Sequence, residues 1–129
     1  MEKKYEITDE EKKSARGTVH RIKALRNFSD VKEGDLGGFI EDEKNLSHEG
    51  DCWVYDNSMV CGNAEVKDNA KIAGNSKVFG LSLVCGNATV VFGSSVCEFA
   101  LVDGNACISG NCVIQGMSKV FDNAKIYKT

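Results

Sequence analysis

The chain has 129 residues, of which 42% are hydrophobic and 27% charged, and its formal net charge at pH 7 is −3. This length suits a single domain with a continuous core, and so small a net charge argues against direct binding to nucleic acid. No apolar run reaches the roughly 20 residues of a membrane-spanning helix, and the N-terminal sequence does not have the pattern of a signal peptide. These features predict a cytoplasmic protein that does not bind membranes.

The six cysteines occur without a CxxC pair and without the spacing of metal ligands. Their positions predict free thiols in a reducing compartment and no metal site.

The first 51 residues follow no repeat, and we predict that residues 1–51 form a small cap. The segment TDEE, Thr8–Glu11, has the spacing of a capping box, which predicts one short helix ending near Arg16. Residues 18–28 are predicted to form a strand, and the glycine-containing segments that follow are predicted turns: Gly34-Asp35 and Gly37-Gly38.

From residue 54 onward an aliphatic residue occurs at every sixth position, and a small residue lies two positions before each one. The aliphatic series is Val54, Val60, Val66, Ile72, Val78, Val84, Val90, Val96, Val102, Ile108, Ile114, Val120 and Ile126. Alternation within each unit indicates a strand, and the six-residue period indicates a corner after every strand. With three units to a coil, residues 52–129 are predicted to form a parallel β-helix of about four triangular coils.

The corner residues sort into three columns when the sequence is read with a period of eighteen. One column is Asn69, Asn87, Asn105 and Asn123, and a second is Asn57, Asn75, Gly93 and Asn111. The third column is Asn63, Leu81, Phe99 and Met117. The first column predicts a ladder of stacked asparagines, because Asn suits tight corners. The third predicts an apolar edge.

Outward-facing residues beside the third corner extend this edge into what we call the apolar strip. Its members are Phe79, Leu81, Leu83, Cys97, Phe99, Leu101 and Met117. Between Lys77 and Lys119 the only charged residues are Glu98 and Asp103. A surface so poor in charge favours an interface, so we predict self-association as a dimer or trimer. The alternative is that the corner side chains fold back into the core.

The sixfold spacing, with its small residue two positions earlier, resembles the hexapeptide-repeat left-handed β-helix family over residues 52–129. The segment DVKEGDLGGFIEDEKNLSHEGDCWVYDNS, Asp30–Ser58, is similar to the N-terminal signature of the YdcK-like hexapeptide proteins of bacteria, phages and prophages. The resemblance implies an all-β, left-handed parallel β-helix and a bacterial host cell. Members of this group are named as transferases because of their fold, and fold alone does not determine function.

The family's known activities require residues that this chain largely lacks. Its carbonic anhydrases bind zinc through three histidines, and this chain has only His20 and His48. Its acyltransferases use a histidine base near a corner and commonly a loop that covers the substrate, whereas the repeats here contain no histidine and no insertion. We therefore predict that the chain is not an enzyme and has no cofactor, with acyl transfer as the alternative.

The favoured interpretation is a non-catalytic homo-oligomer of phage or prophage origin that binds protein. The resemblance implies a counter-defence role in which a host immune component is the partner. A structural or nucleotide-binding oligomer is a further alternative, in which basic residues of the cap would bind phosphate: Arg16, Arg21, Lys23 and Arg26. The same residues also suit ordinary charge balance with nearby carboxylates.

Overall fold

The computed structural model describes residues 3–127, which form a parallel β-solenoid of about five turns. Its elements are β1 (Tyr5–Ser14), β2 (Gly17–Ala24), β3 (Leu36–Ile40), a 3-10 helix (Glu43–Asn45), β4 (Trp53–Val54), β5 (Met59–Val60), β6 (Glu65–Val66), β7 (Lys71–Ile72), β8 (Lys77–Val78), β9 (Leu83–Val84), β10 (Thr89–Val90), β11 (Ser95–Val96), β12 (Leu101–Val102), β13 (Cys107–Ser109), β14 (Val113–Ile114), β15 (Lys119–Val120) and β16 (Lys125–Tyr127). The predicted all-β solenoid is confirmed.

Three sheets form the faces of the solenoid. The first face has the order β3-β5-β8-β11-β14, the second β6-β9-β12-β15, and the third β4-β7-β10-β13-β16. Strands on neighbouring turns pair in parallel, and their partners are eighteen residues apart, as Val60 and Val78 are. The turn count exceeds the predicted four because β3 pairs in parallel with β5, and Leu46 bridges Val66. The boundary between cap and repeats at residue 51 stays a prediction.

The aliphatic residues of the repeat stack inside the solenoid. From Val54 to Ile108 every one of them has 0% exposure, and each buried Val or Ile contributes about 1.5–3 kcal/mol. The small residues on the first face form a second internal ladder, in which Ser58 Oγ accepts from Ser76 N at 3.1 Å and Ser76 Oγ accepts from Ser94 N at 3.2 Å. Serine suits this column because its hydroxyl oxygen accepts a hydrogen bond from the backbone N–H of the next turn.

The predicted asparagine ladder is confirmed along the corner that follows the second face. Each side-chain amide donates to the asparagine one turn further on, with Nδ2–Oδ1 distances of 3.2, 3.2 and 3.1 Å along the series Asn69, Asn87, Asn105 and Asn123. Asp51 N donates to the free oxygen of the first member at 3.1 Å. The ladder thus joins the five turns along one edge.

The short helix predicted from the TDEE segment is wrong, because these residues lie within strand β1. β1 and β2 form an antiparallel hairpin that continues the sheet of the first face beyond β3. Thr8 Oγ donates to Arg21 O at 2.8 Å and accepts from Glu10 N at 3.3 Å. The pairing register shifts between Ile7 and Glu11. The threonine that suggested a helix cap instead stabilises a β-bulge, where its hydroxyl has the same type of backbone partner.

The turn predicted at Gly37-Gly38 is also wrong, since both residues lie inside strand β3. Neither has a positive φ, and both are buried. A Cβ on Gly37 would lie 2.6 Å from the Trp53 ring and 2.7 Å from Val54 O. Glycine is required here by close packing against Trp53 and Val54 and not by backbone conformation. The turn at Gly34, with φ +93°, is confirmed.

The corner after the third face has two consecutive residues with positive φ at positions 74–75, 92–93 and 110–111, whereas on the preceding turn only Asp56 has a positive φ. Gly74 and Asn75 have φ +67° and +61°, and one turn later Phe92 and Gly93 have φ +57° and +74°. Left-handed backbone costs about 1–2 kcal/mol for residues other than Gly, Asn and Asp. Phe92 is also 68% exposed, so little packing of its ring offsets this strain.

We expect Phe92→Asn to raise the free energy of unfolding by about 1 kcal/mol, because Asn tolerates the left-handed conformation. Urea denaturation of the wild type and the variant measures this difference. Phe121→Asn is the matched control, since Phe121 is 55% exposed and has no positive φ. A gain at both positions, or at neither, would show that backbone strain at Phe92 is not the cause.

Asp56 links the first two turns at the same corner of the solenoid. Its carboxylate accepts from Asn57 N at 2.7 Å, Gly74 N at 2.9 Å and Asn75 N at 3.2 Å. Partial burial alone would raise the pKa of Asp56, but these bonds and one from the Ser58 hydroxyl outweigh burial and lower the pKa from its ordinary value. Stability from these bonds is therefore present above the unfolded pKa near 3.8 and is lost as pH falls through the lower folded pKa.

Asp56→Ala is expected to reduce the free energy of unfolding by about 1 kcal/mol more at pH 7 than the control Asp122→Ala. Both aspartates have positive φ, so the backbone cost of Ala is matched. Urea unfolding at pH 7 and pH 2 measures the effect, and the extra loss in Asp56→Ala should disappear at pH 2. An equal extra loss at both pH values would contradict a role for the ionised carboxylate.

Candidate functional site

The centre of the apolar strip lies at the corner after the first face. Leu81, Phe99 and Met117 stack there on successive turns, and their exposures are 53%, 60% and 83%. These side chains therefore do not fold back into the core. Within this corner only the first residue of each turn has positive φ, so the position that follows accepts residues other than Gly and Asn.

The flanks of the strip are less exposed than its centre. Leu83 and Leu101 pair in register on the second face, and both are half-buried. On the first face Phe79 is half-buried and Cys97 is only 6% exposed. The surface available for contact is therefore mainly the corner column and the two leucines. Its use as an interface stays a prediction.

The hairpin β1–β2 lies against the outer surface of the first face. Val19 from the hairpin packs with Phe39, Met59 and Cys61 in a small apolar cluster outside the solenoid core. Near the hairpin tip the Arg16 guanidinium lies 3.8 Å from the centre of the Phe79 ring. These contacts explain why residues that point outward from the solenoid are nevertheless buried. The cap covers part of one face.

The basic cap residues that were predicted to bind phosphate mainly hold the hairpin in place. Arg21 donates to Gly37 O at 2.6 Å, to Asp56 O at 3.1 Å and to Asn57 Oδ1 at 3.1 Å, and it pairs with the Glu10 carboxylate at 2.9 Å. The guanidinium of Arg21 is therefore committed to Glu10 of the hairpin, to β3 and to the corner at residues 56–57.

Of the other three residues, Arg16 stacks on Phe79 and Arg26 donates to His48 O at 3.4 Å. Lys23 is exposed on β2. Phosphate binding by these four residues stays a prediction.

Both ring nitrogens of His48 have partners. Nδ1 accepts from the backbone N–H of Lys4 at 3.1 Å, so the neutral ring carries its proton on Nε2, which lies 2.8 Å from Glu43 Oε1. The ring also stacks on Tyr5 at 4.1 Å. The hydrogen bond from His48, together with that from Lys3, lowers the pKa of the Glu43 carboxyl against the opposing effect of burial. Because both ring nitrogens already have partners, His48 has no free lone pair, and its contacts stabilise the cap.

Lys4 is a buried residue that the sequence pattern did not indicate. Its ammonium donates to Cys52 O at 2.6 Å and to Gly50 O at 3.2 Å, and it lies 3.3 Å from Cys52 Sγ. Burial lowers the pKa of Lys4 and raises that of the Cys52 thiol. Nothing in the polar N-terminal segment distinguishes this lysine from its neighbours, because its burial depends on where the hairpin docks.

A groove beneath the hairpin tip was likewise not predicted. It has a volume of about 350 Å³ and lies between the tip and the first face. Its lining includes three lysines, Lys12, Lys13 and Lys77.

Residues 3–127 contain no group of three or more His, Cys, Asp or Glu side chains placed to hold a metal ion. Over the same range, no helix has the length and hydrophobicity that would be needed to cross a bilayer.

An uninterrupted solenoid with a six-residue period is the architecture of hexapeptide-repeat proteins, and the comparisons with known proteins fit this class. No protein-family model matches the chain. A segment of 49 residues is 41% identical to the "Uncharacterized acetyltransferase YdcK" of Escherichia coli (strain K12). The match covers 37% of this chain and 15% of that relative, so the chain spans only a small part of the relative's length.

This match corrects one prediction. The absence of histidines and loops from the repeats led us to predict that the chain is not an enzyme, and a relative named as an acetyltransferase contradicts that prediction. The prediction rested on the absence of a histidine and of an insertion from the repeats, and it gave too little weight to His20 and His48, which lie outside them in the N-terminal region.

Proposed function

We propose that this protein is a homo-oligomeric binding module whose subunits associate through the apolar strip. The observation that carries the proposal is the stacking of three large, exposed apolar side chains, Leu81, Phe99 and Met117, along one edge. Contiguous exposed apolar surface of this kind marks interaction sites in soluble proteins. Around the rest of the solenoid the corners carry mainly Asn, Asp and Gly.

The regular spacing of the strip favours a second copy of the chain as its partner. Successive strip residues lie one turn apart, and parallel turns repeat at about 4.8 Å. Two identical edges placed side by side have the same repeat, so the side chains of one can interdigitate with those of the other over the whole length. Closed rotational symmetry then gives a dimer or trimer.

Light scattering over a series of protein concentrations tests the proposal. The expected mass is two or three times that of the chain, and it should fall on dilution. A monomeric mass at every concentration would contradict self-association. The strip would then be open to a foreign protein, and the host immune component that the resemblance implies would be the first to test.

A second candidate function, acyl transfer, is supported by the acetyltransferase name of the matched relative. In this chain our candidate for the general base is His20 on β2. Its Nδ1 lies 3.9 Å from Glu11 Oε2, and its side chain is 30% exposed. A general base must be accessible to the group whose proton it takes, and the partly exposed ring of His20 meets that requirement.

Thermal denaturation with coenzyme A and consumption of acetyl-coenzyme A test this second candidate. Acyl transfer predicts stabilisation by coenzyme A and a turnover that His20→Gln reduces by at least about 100-fold. His48→Gln is the comparison variant, since that ring is engaged in cap contacts. Absence of stabilisation, or equal turnover in wild type and His20→Gln, would rule out this mechanism.

A further inference from the structure

The groove beneath the hairpin tip brings together basic residues from distant parts of the chain. Lys12 and Lys13 come from β1, near the tip, and Lys77 comes from β8 on the first face. Ser14 and two corner residues, Asn57 and Asn75, make up the rest of the polar lining. The lining thus offers ammonium groups and amide N–H donors but no carboxylate.

The lysines of this groove are not neutralised within the chain. Among residues 3–127, Lys12, Lys13 and Lys77 take part in no ion pair. The nearest carboxylates along β1 have other partners, since Glu10 pairs with Arg21 and Glu11 faces His20. The corner carboxylate of Asp56 is occupied by backbone N–H groups.

The net charge of the whole chain is −3, so this groove is a local concentration of positive charge on an acidic protein. Unpaired cations brought together in a concave site raise the local concentration of anions.

A smaller apolar notch adjoins the groove. It has a volume of about 50 Å³ and shares Ser14, Ala15, Met59 and Lys77 with the groove. The remaining lining residues are Arg16, Cys61 and Phe79. An anionic ligand in the groove would therefore lie beside a small apolar notch that the hairpin tip already covers in part.

We propose that this groove binds the phosphate groups of a small phosphorylated ligand. Ammonium groups and amide donors make strong, charge-assisted hydrogen bonds to phosphate oxygens. The groove's volume lies within the roughly 300–1,000 Å³ of small-molecule sites. This site differs from the set of cap residues predicted from the sequence, of which Arg21 and Arg26 are committed to other contacts. The phosphate-binding residues proposed here are instead Lys12, Lys13 and Lys77.

Calorimetric titration with two probes, pyrophosphate and ADP, tests the proposal on the full chain. We expect saturable binding of both by the wild type, weakened at least about tenfold in Lys12→Ala/Lys77→Ala. The matched control is Lys119→Ala/Lys125→Ala, which removes the same charge from exposed strand positions outside the groove, and its affinity should stay within about twofold of the wild type. Lys13→Ala/Lys77→Ala provides a second groove variant that keeps the contact of Lys12 with the Phe39 ring.

Each result of the titration decides the proposal. Equal affinity for both probes would assign the site to phosphate groups alone, and tighter binding of ADP would assign it to a nucleotide whose remaining part contacts the protein. Binding of neither probe at millimolar concentration would overturn the proposal. An equal loss in the groove variants and the control variant would also overturn it, since binding would then depend only on net charge. None of these outcomes depends on oligomer mass or on coenzyme A.

Discussion

Phe99→Glu is expected to convert the assembled protein into monomers. Phe99 lies at the middle of the apolar strip and is 60% exposed in the single chain, so we expect its ring to be buried between subunits. A glutamate at that position would place an unpaired charge in a desolvated contact, which weakens association by at least about 100-fold. Sedimentation velocity at matched concentrations measures the change in mass.

Phe92→Glu is the matched control for this substitution. Phe92 is 68% exposed but lies at a different corner of the solenoid, so its replacement introduces the same charge away from the strip. The control should keep the mass of the wild type. Loss of assembly in both variants would point to a general effect of charge. An unchanged assembly in Phe99→Glu would eliminate the strip as the interface.

Gly38→Ala is expected to reduce the free energy of unfolding by about 3 kcal/mol. A Cβ at this position would overlap the carbonyl oxygen of Ser58 and lie 2.6 Å from Val54 Cγ1. The same Ser58 oxygen accepts the hydrogen bond from Phe39 N at 2.9 Å, so the backbone cannot move away without losing that pairing. Chemical denaturation monitored through the Trp53 fluorescence measures the loss.

Leu36→Ala serves as the control in the same strand. Leu36 is 58% exposed, and its truncation should change stability by no more than about 0.5 kcal/mol. A loss in Gly38→Ala as small as that in Leu36→Ala would show that β3 can move away from Val54 and Ser58. The close packing that explains the buried glycines would then be wrong.

The solenoid could be predicted because its determinants are local and repeated. Each unit carries its own inward aliphatic residue, and the thirteen units agree in register, so one pattern determines strands, corners and stacking together. The asparagine ladder followed from the same period of eighteen. The outward direction of the flanking residues Phe79, Leu83 and Leu101 followed from the alternation along each strand, whereas the direction of the corner side chains stayed open until the structure showed them exposed.

The N-terminal region could not be predicted in the same way, because its structure depends on contacts with the solenoid. Thr8 suits a helix cap and a bulge equally, and only the pairing of β1 with β2 selects the bulge. The Gly37-Gly38 pair suits a turn until Trp53 and Val54 pack against it. In both cases long-range packing overrode the local preference.

The two candidate sites also differ in whether local sequence or long-range packing determines them. The strip lies within the repeats and was found from the sequence, whereas the groove exists only because residues 12–15 dock on β8 and the neighbouring corners. Likewise, the partners of His48 include Lys4, 44 residues away in the chain. No local pattern could have indicated either arrangement.

The most direct test of the central claim is oxidative footprinting of Met117 in the assembled protein. Met117 is 83% exposed in the single chain, so its thioether should react rapidly with hydroxyl radicals in a monomer. We expect strong protection of Met117 at concentrations where the wild type is oligomeric, full reactivity of Met117 in Phe99→Glu, and equal reactivity of Phe92 in both proteins. Rapid oxidation of Met117 in an oligomeric wild type would contradict the claim that the apolar strip joins the subunits.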